Sequence, residues 1–213
     1  MKKSIYFFLI TLTITLFSCN QQNRINVSEI KSEKGTIYLK GEKYSGILYE
    51  NYADGKLKNQ WNFKEGKEDG ISEEYYKNSQ LNNKTIWKNG IKEGPFEKYY
   101  DNGQLEIKGE FKANKKEGAY EIYYENGNIW KRGIYVDGNL DGSIEDFYPS
   151  GELKQSITWK NGTKEGPVEL YYKNKQLKEV GYYVNNLKDG SFEYYSENGE
   201  LKEKASFELG RRK

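Results

Sequence analysis

Six glutamates, Glu73, Glu97, Glu121, Glu145, Glu169 and Glu193, recur at intervals of 24 residues. Carboxylates held at a fixed separation are the groups that hydrolyse glycosidic bonds. On successive β-hairpins, however, consecutive members stand two strands, about 10 Å, apart, and each has lysines nearby. Ion-paired structural glutamates are therefore expected. A second acidic cluster, Asp137-Gly138-Asn139-Leu140-Asp141-Gly142 with Glu145, opens like a calcium loop, but its twelfth position, where a bidentate glutamate is required, is Tyr148. The chain has no histidine, which removes the commonest general base, the nucleophile–histidine triads and the usual zinc sets. It has no dinucleotide fingerprint and no phosphate-binding loop. No catalytic residue, metal site or cofactor is expected; the residues point to a binding role.

The glutamates belong to a longer pattern. Seven glycines, Gly46, Gly70, Gly94, Gly118, Gly142, Gly166 and Gly190, stand 24 residues apart without an insertion or deletion, the mark of a repeat array. Three residues after the glycine comes the glutamate, five after it an aromatic, and six after it a tyrosine in six repeats, followed by a turn such as Asn102-Gly103 or Asn126-Gly127. A leucine or isoleucine follows at plus eleven, an aromatic at plus seventeen, and a second turn such as Asn89-Gly90 leads to an acidic residue and the next glycine. Two strands and two turns fill each period. Plus eleven and plus seventeen are both odd offsets, so they are expected on one packed face of a strand. The fold class is all-β: an elongated, twisted, single-layer antiparallel meander of about seven 24-residue hairpins. Its fourteen strands would extend about 65 Å, and twist of about 20 to 25° per strand would coil the ribbon.

The aromatics at plus five, Tyr75, Tyr99, Tyr123, Phe147, Tyr171 and Tyr195, form the candidate binding face. A single-layer sheet has no opposing layer to cover them. They either stack on the plus-seventeen aromatics and the leucines as the array's own core, or stay partly exposed for a ligand, a role that suits tyrosine's apolar body and polar tip.

The run Gly94-Pro95-Phe96-Glu97-Lys98-Tyr99-Tyr100-Asp101-Asn102-Gly103-Gln104-Leu105 resembles the MORN repeat and closely matches its bacterial variant class, and the likeness extends over about residues 42 to 210. The resemblance implies single-layer hairpin sheets that act in protein or lipid contact. Proteins of this class are often labelled YwqK-family antitoxins of toxin–antitoxin systems, which implies a toxin as one possible partner. The terminal repeats depart from the pattern, with Tyr49 at plus three and Asn51 at plus five in the first and Ser196 at plus six in the last, as capping repeats do.

Met1-Lys2-Lys3, the apolar run from Ile5 to Phe17 and the polar residues after Cys19 read as a signal peptide over residues 1–18. The segment resembles the lipobox of bacterial lipoproteins, with the sole cysteine, Cys19, as the lipidated residue and the membrane engaged through that anchor. The expected location is the cell envelope. Residues 19–41 read as a polar tether with a possible short strand at 36–39, and residues 42–213 as the repeat array. Loss of Lys2 and Lys3 lowers the basic count from 34 to 32, equal to the 32 acidic residues. A neutral chain lacks the electrostatic footprint of a nucleic-acid binder. Three functions are compatible with these features: a protein-binding or scaffolding surface, an antitoxin or immunity-type protein, and an adhesin or glycan- or lipid-binding module.

Overall fold

The computed structural model describes residues 24–213; the signal peptide and Cys19 lie outside the described residues. The chain begins with β1 (Arg24–Asn26), one 3-10 turn (Val27–Glu29), and β2 (Lys31–Glu33), β3 (Thr36–Leu39) and β4 (Glu42–Lys43). The hairpins follow: β5 (Gly46–Asn51) with β6 (Leu57–Lys64), β7 (Lys67–Tyr75) with β8 (Leu81–Lys88), and β9 (Ile91–Tyr99) with β10 (Leu105–Lys112). Then come β11 (Lys115–Tyr123) with β12 (Ile129–Val136), and β13 (Asn139–Phe147) with β14 (Leu153–Lys160). The last are β15 (Thr163–Tyr171) with β16 (Leu177–Val184), β17 (Leu187–Tyr195) with β18 (Leu201–Glu208), and a terminal β19 (Arg211–Arg212).

Strands β5 to β19 pair antiparallel in sequence order, and β1 adds to the free edge of β5 in parallel, giving one 16-stranded sheet. This is the expected single-layer meander. The stretch read as a tether carries, from residue 24 onward, β1, β2 and β3, the last being the strand expected over 36–39. Strands β2, β3 and β4 form a small sheet of their own. Ile37 N–H donates to Gly66 O (2.8 Å) and Gly66 N–H to Tyr44 O (2.8 Å), which ties this segment to the turn between β6 and β7. The parallel strand β1 covers the edge of β5, which would otherwise invite pairing with another chain.

The core is one residue wide. Its buried members are Leu48, Tyr120, Ile144, Val168 and Phe192 at plus two, and Thr85, Ile157 and Ala205 at plus fifteen; Tyr44 joins them at the N-terminal cap. Plus two pairs across the strands with plus fifteen, as in Leu48 with Trp61, Ile144 with Ile157, and Phe192 with Ala205. The row fits by alternation of size. Gly109 lies between Phe96 and Tyr120, Gly133 between Tyr120 and Ile144, and Gly181 beside Phe192. A Cβ on Gly109 would come 2.9 Å from Phe96 Cε1, and one on Gly181 would overlap the Phe192 ring.

From Gly70 onward each leading glycine sits inside a strand rather than at its start, whereas Gly46 opens β5. Phe63 pairs with Glu68 and Trp61 with Ser72, so Asp69, Gly70 and Ile71 together oppose the single residue Asn62. Gly70 has φ +112°, which a β-carbon would disfavour, and the bulge re-aims the strand. A second irregularity falls after plus eleven: Tyr75 pairs with Leu81 but Glu74 with Asn83, leaving Asn82 extra. It breaks the parity that placed plus eleven and plus seventeen on one face. The leucines pair with the plus-five aromatics, whereas the plus-seventeen aromatics Trp159, Tyr183 and Phe207 pack against the buried row. The expected shared face is thereby corrected.

Gly181→Ala should overpack this row and destabilise the protein by about 1–3 kcal/mol. The expected result is a lower urea midpoint with an unchanged slope; an unaltered midpoint would show that size alternation does not hold the core together.

Candidate functional site: the face opposite the buried row

The plus-three glutamates and plus-five aromatics are two residues apart on a strand and so share a face. The Tyr75 hydroxyl donates to Glu73 (2.9 Å), that of Tyr99 to Glu97 (3.0 Å), that of Tyr171 to Glu169 and that of Tyr195 to Glu193 (both 2.6 Å). Tyr123 bonds Glu121 in the same way. Basic residues at plus fourteen stand across from the glutamates. Glu73 pairs with Lys84, Lys84 with Glu97, Glu97 with Lys108, Lys108 with Glu121, and Glu121 with Arg132. Alternating charge therefore runs over five strands, β8 to β12, with Glu73 and Glu145 continuing it on either side. Ion pairs close between Lys108 and Glu121 (2.7 Å), Lys204 and Glu193 (2.7 Å), and Arg132 and Glu145. Plus fourteen is basic in four repeats, at Lys84, Lys108, Arg132 and Lys204, and Gln60, Ser156 and Val180 interrupt it, so the sequence alone does not mark the row; its pairing depends on the cross-strand register.

All six plus-five residues are half-buried, and the ladder lies on the face away from the buried row. Their stacking on the plus-seventeen aromatics, one of the two expectations, does not occur; their cross-strand partners are the plus-eleven leucines. Burial, and then the bond to Glu73, pushes the Tyr75 phenol up to about 12. At Tyr171 the hydrogen bond to Glu169 contributes most, with burial second, and the value again reaches about 12. Hydrogen bonds from Lys108 and Tyr123 hold Glu121 below the usual carboxylate range. Exposed apolar residues share this face on the far side of the charged row: Ile71 at 40 %, Ile134 at 46 % and Tyr182 at 46 % of their full accessibility.

The remaining repeat residues join one hairpin to the next. The plus-six tyrosines do not face a ligand; Tyr52 OH donates to Tyr75 O (2.6 Å), Tyr100 OH to Tyr123 O (2.6 Å), and Tyr148 OH to Tyr171 O (2.9 Å). The acidic residue before each leading glycine accepts from a backbone N–H in the following turn, as Asp69 does from Asn89 (3.0 Å) and Glu165 from Asn185 (2.8 Å). The residues that resembled a calcium loop serve these two roles. Asp141 accepts from Asn161 N–H (3.0 Å), Asp137 donates its N–H to Glu117 (2.9 Å), and Glu145 pairs with Arg132. Among the described residues no cluster of three or more acidic, histidine or cysteine side chains converges on a metal position.

A one-layer meander of bulged hairpins, each repeat bonded to the next by a tyrosine and an acid, defines a β-hairpin repeat array. The chain belongs to the MORN repeat variant family, whose repeat matches residues 44–65, 68–89, 92–113, 116–137, 140–161, 164–185 and 188–208. No curated protein matches the chain. Among solved structures, a TarM variant from S. aureus in complex with fondaparinux, α-GlcNAc-glycerol and UDP is 12 % identical over 56 % of this chain and 19 % of its own, with a TM-score of 0.26. A second TarM crystal structure is 13 % identical over 59 % of this chain and 20 % of its own, also with a TM-score of 0.26. The chain thus aligns with only about a fifth of either TarM chain, and likeness at this level carries no functional argument.

Two measurements test this arrangement. Replacing Tyr100 by Phe removes one inter-repeat hydrogen bond and should cost about 0.5–1.5 kcal/mol, with no change in the β-sheet circular dichroism; an unchanged denaturation midpoint would mean that the hydroxyl does not couple the repeats. For Tyr75 and Tyr171 the folded value of about 12 exceeds the ordinary phenol value of about 10. The stability they contribute is complete below pH 10 and is lost as pH rises towards 12. The urea midpoint should fall across that window in step with tyrosinate absorbance, and a flat or rising midpoint would contradict the Glu–Tyr pairing.

Proposed function

We propose that this protein is a non-enzymatic, lipid-anchored component of the cell envelope whose repeat array presents the tyrosine ladder to a protein partner. The observation that carries the reading is the position of the ladder. It lies on the face opposite the buried row, so its half-exposed rings form an extended aromatic strip bordered on one side by the row of glutamates and basic residues, beyond which Ile71, Ile134 and Tyr182 are exposed on the same face. Interface centres favour aromatic residues surrounded by a polar rim, and surface of this kind on a soluble array marks an interaction site. The anchor rests on the lipobox-like segment ending at Cys19. A toxin partner, which the antitoxin label of related repeat proteins suggests, is the immunity-type form of the same reading.

With the full processed protein as bait in an envelope extract, one stoichiometric protein should be captured. The triple variant Tyr99→Ser, Tyr123→Ser, Tyr171→Ser should lose it while keeping its β-sheet spectrum. Equal capture by the variant would exclude the ladder. A captured protein that arrests growth unless this chain is co-expressed would identify immunity; a harmless one would favour scaffolding. Cys19→Ala should shift the protein from the membrane to the soluble fraction, and identical fractionation of the two would rule out the anchor.

A further inference from the structure

The other face carries a second periodic feature that the tyrosine ladder does not use. Beside the buried row, the plus-seventeen aromatics alternate across the strands with residues two before the leading glycines. Trp87 pairs with Lys92, Phe111 with Lys116, Trp159 with Lys164, and Tyr183 with Lys188. The ammonium of Lys92 lies 5.2 Å from the Trp87 ring centre and 5.1 Å from that of Phe111. Lys116 lies 5.1 Å from Tyr135, and Lys164 lies 5.8 Å from Trp159 and 5.1 Å from Tyr183. Lys188 is also paired with Glu179 (2.8 Å), but Lys92, Lys116 and Lys164 form no ion pair among the described residues. The acidic Glu68 opens the row, and burial raises its carboxyl pKa. Contact with a ring is worth about 0.5–1 kcal/mol at exposed sites and leaves the charge in place. Lys116 and Lys164 are therefore left unneutralised over aromatic side chains, whereas the charge of Lys92 is partly offset by the Glu68 carboxylate; the lysines stand at steps of two strands, about 10 Å, or a multiple of that.

The same row is hollowed at its middle. Lys131, Asp146, Gln155, Ile157, Trp159 and Lys164 line a depression of about 130 Å³. Asp146 is held by Lys131 (3.1 Å) and accepts from Gln155. The hollow thus offers an aromatic wall, an aliphatic floor, cationic donors, and an amide and carboxylate able to accept hydrogen bonds.

We propose that this row binds an acidic linear polysaccharide, with sugar rings against the aromatic side chains, carboxylates meeting Lys92, Lys116 and Lys164, and one ring seated in the Trp159 hollow. Charge complementarity selects an anionic ligand. The step of two strands, interrupted only by Leu140 opposite Tyr135, suits a ligand that has a repeat of its own. The acceptors in the hollow favour hydroxyl-bearing rings, which can donate to Gln155 and Asp146, over an acidic peptide, whose side chains have no hydroxyl to offer. Because it uses the face opposite the tyrosine ladder, this inference stands or falls separately from the protein-binding reading.

The test is calorimetric titration of the full processed protein with polygalacturonate oligosaccharides, beside neutral cellulose oligosaccharides of equal length and poly-glutamate. Polygalacturonate should bind with an affinity that falls as salt is added. Lys164→Gln and Lys116→Gln should each weaken it about fivefold, as expected for one partly screened charged contact. Trp159→Leu should weaken it more than the lysine variants while its β-sheet spectrum is retained. Absence of polygalacturonate binding, equal binding of the neutral glycan, or indifference to Lys164→Gln would overturn the proposal. Poly-glutamate binding as tight as that of the uronate would replace it with an acidic protein partner.

Discussion

A single layer of strands has no second layer to pack on, so each apolar side chain can be buried only against its neighbours within that layer. The rest of the structure follows from this constraint. It narrows the core to the paired plus-two and plus-fifteen positions, where the depth available is one side chain and bulk on one strand must be matched by its absence on the next. Phe192 is completely buried because Gly181 leaves its ring room. Ile144, Ile157 and Val168 achieve the same with three middle-sized residues in succession. A hydrophobic contribution confined to one row is small for a chain of this length, and the structure supplements it with hydrogen bonds directed from one repeat to the next.

Those bonds are made by two of the recurring repeat residues, the plus-six tyrosines and the acids before the leading glycines. A buried backbone carbonyl needs a partner, and the plus-six tyrosine supplies one across the repeat boundary; the turn N–H groups are met by the acids preceding the leading glycines. Each repeat is thus incomplete alone and completed by its successor, the arrangement expected of a quasi-one-dimensional array. The ends differ accordingly. At the N-terminus Ser45 takes the place of the acid, accepting from Glu65 N–H (2.9 Å), and β1 closes the edge.

The two faces divide the chemistry. One holds glutamates, lysines and an arginine in register, so that charges are largely matched and tyrosine hydroxyls are fixed by carboxylates. Exposed pairs of this kind add little stability individually; their effect is to orient the rings. The other face holds the buried row and, beside it, lysines that lie over rings, of which Lys188 alone also forms an ion pair, with Glu179. A chain with equal numbers of acidic and basic side chains after residue 18 is therefore locally uneven, cationic along one line and balanced along another.

The period of 24 was sufficient to establish the hairpins and the single antiparallel layer, because turn residues and strand-forming aromatics recur with nothing between them to build any other element. The ladder Tyr75 to Tyr195 was legible as a row for the same reason. Its facing was not. Strand parity inverts every side chain when one residue is added, and the irregularity at Asn82, repeated along the array, adds one that no hydropathy pattern marks, while the bulge at Gly70 adds two and keeps the parity. Hence the leucines left the aromatics of plus seventeen, the core settled at plus two and plus fifteen, and Gly109, Gly133 and Gly181, which look like interruptions in the sequence, became the spaces their neighbours fill. Local residue types determined the repeat; only the cross-strand register, set by hydrogen bonding between hairpins, decided which side of the sheet each residue would occupy.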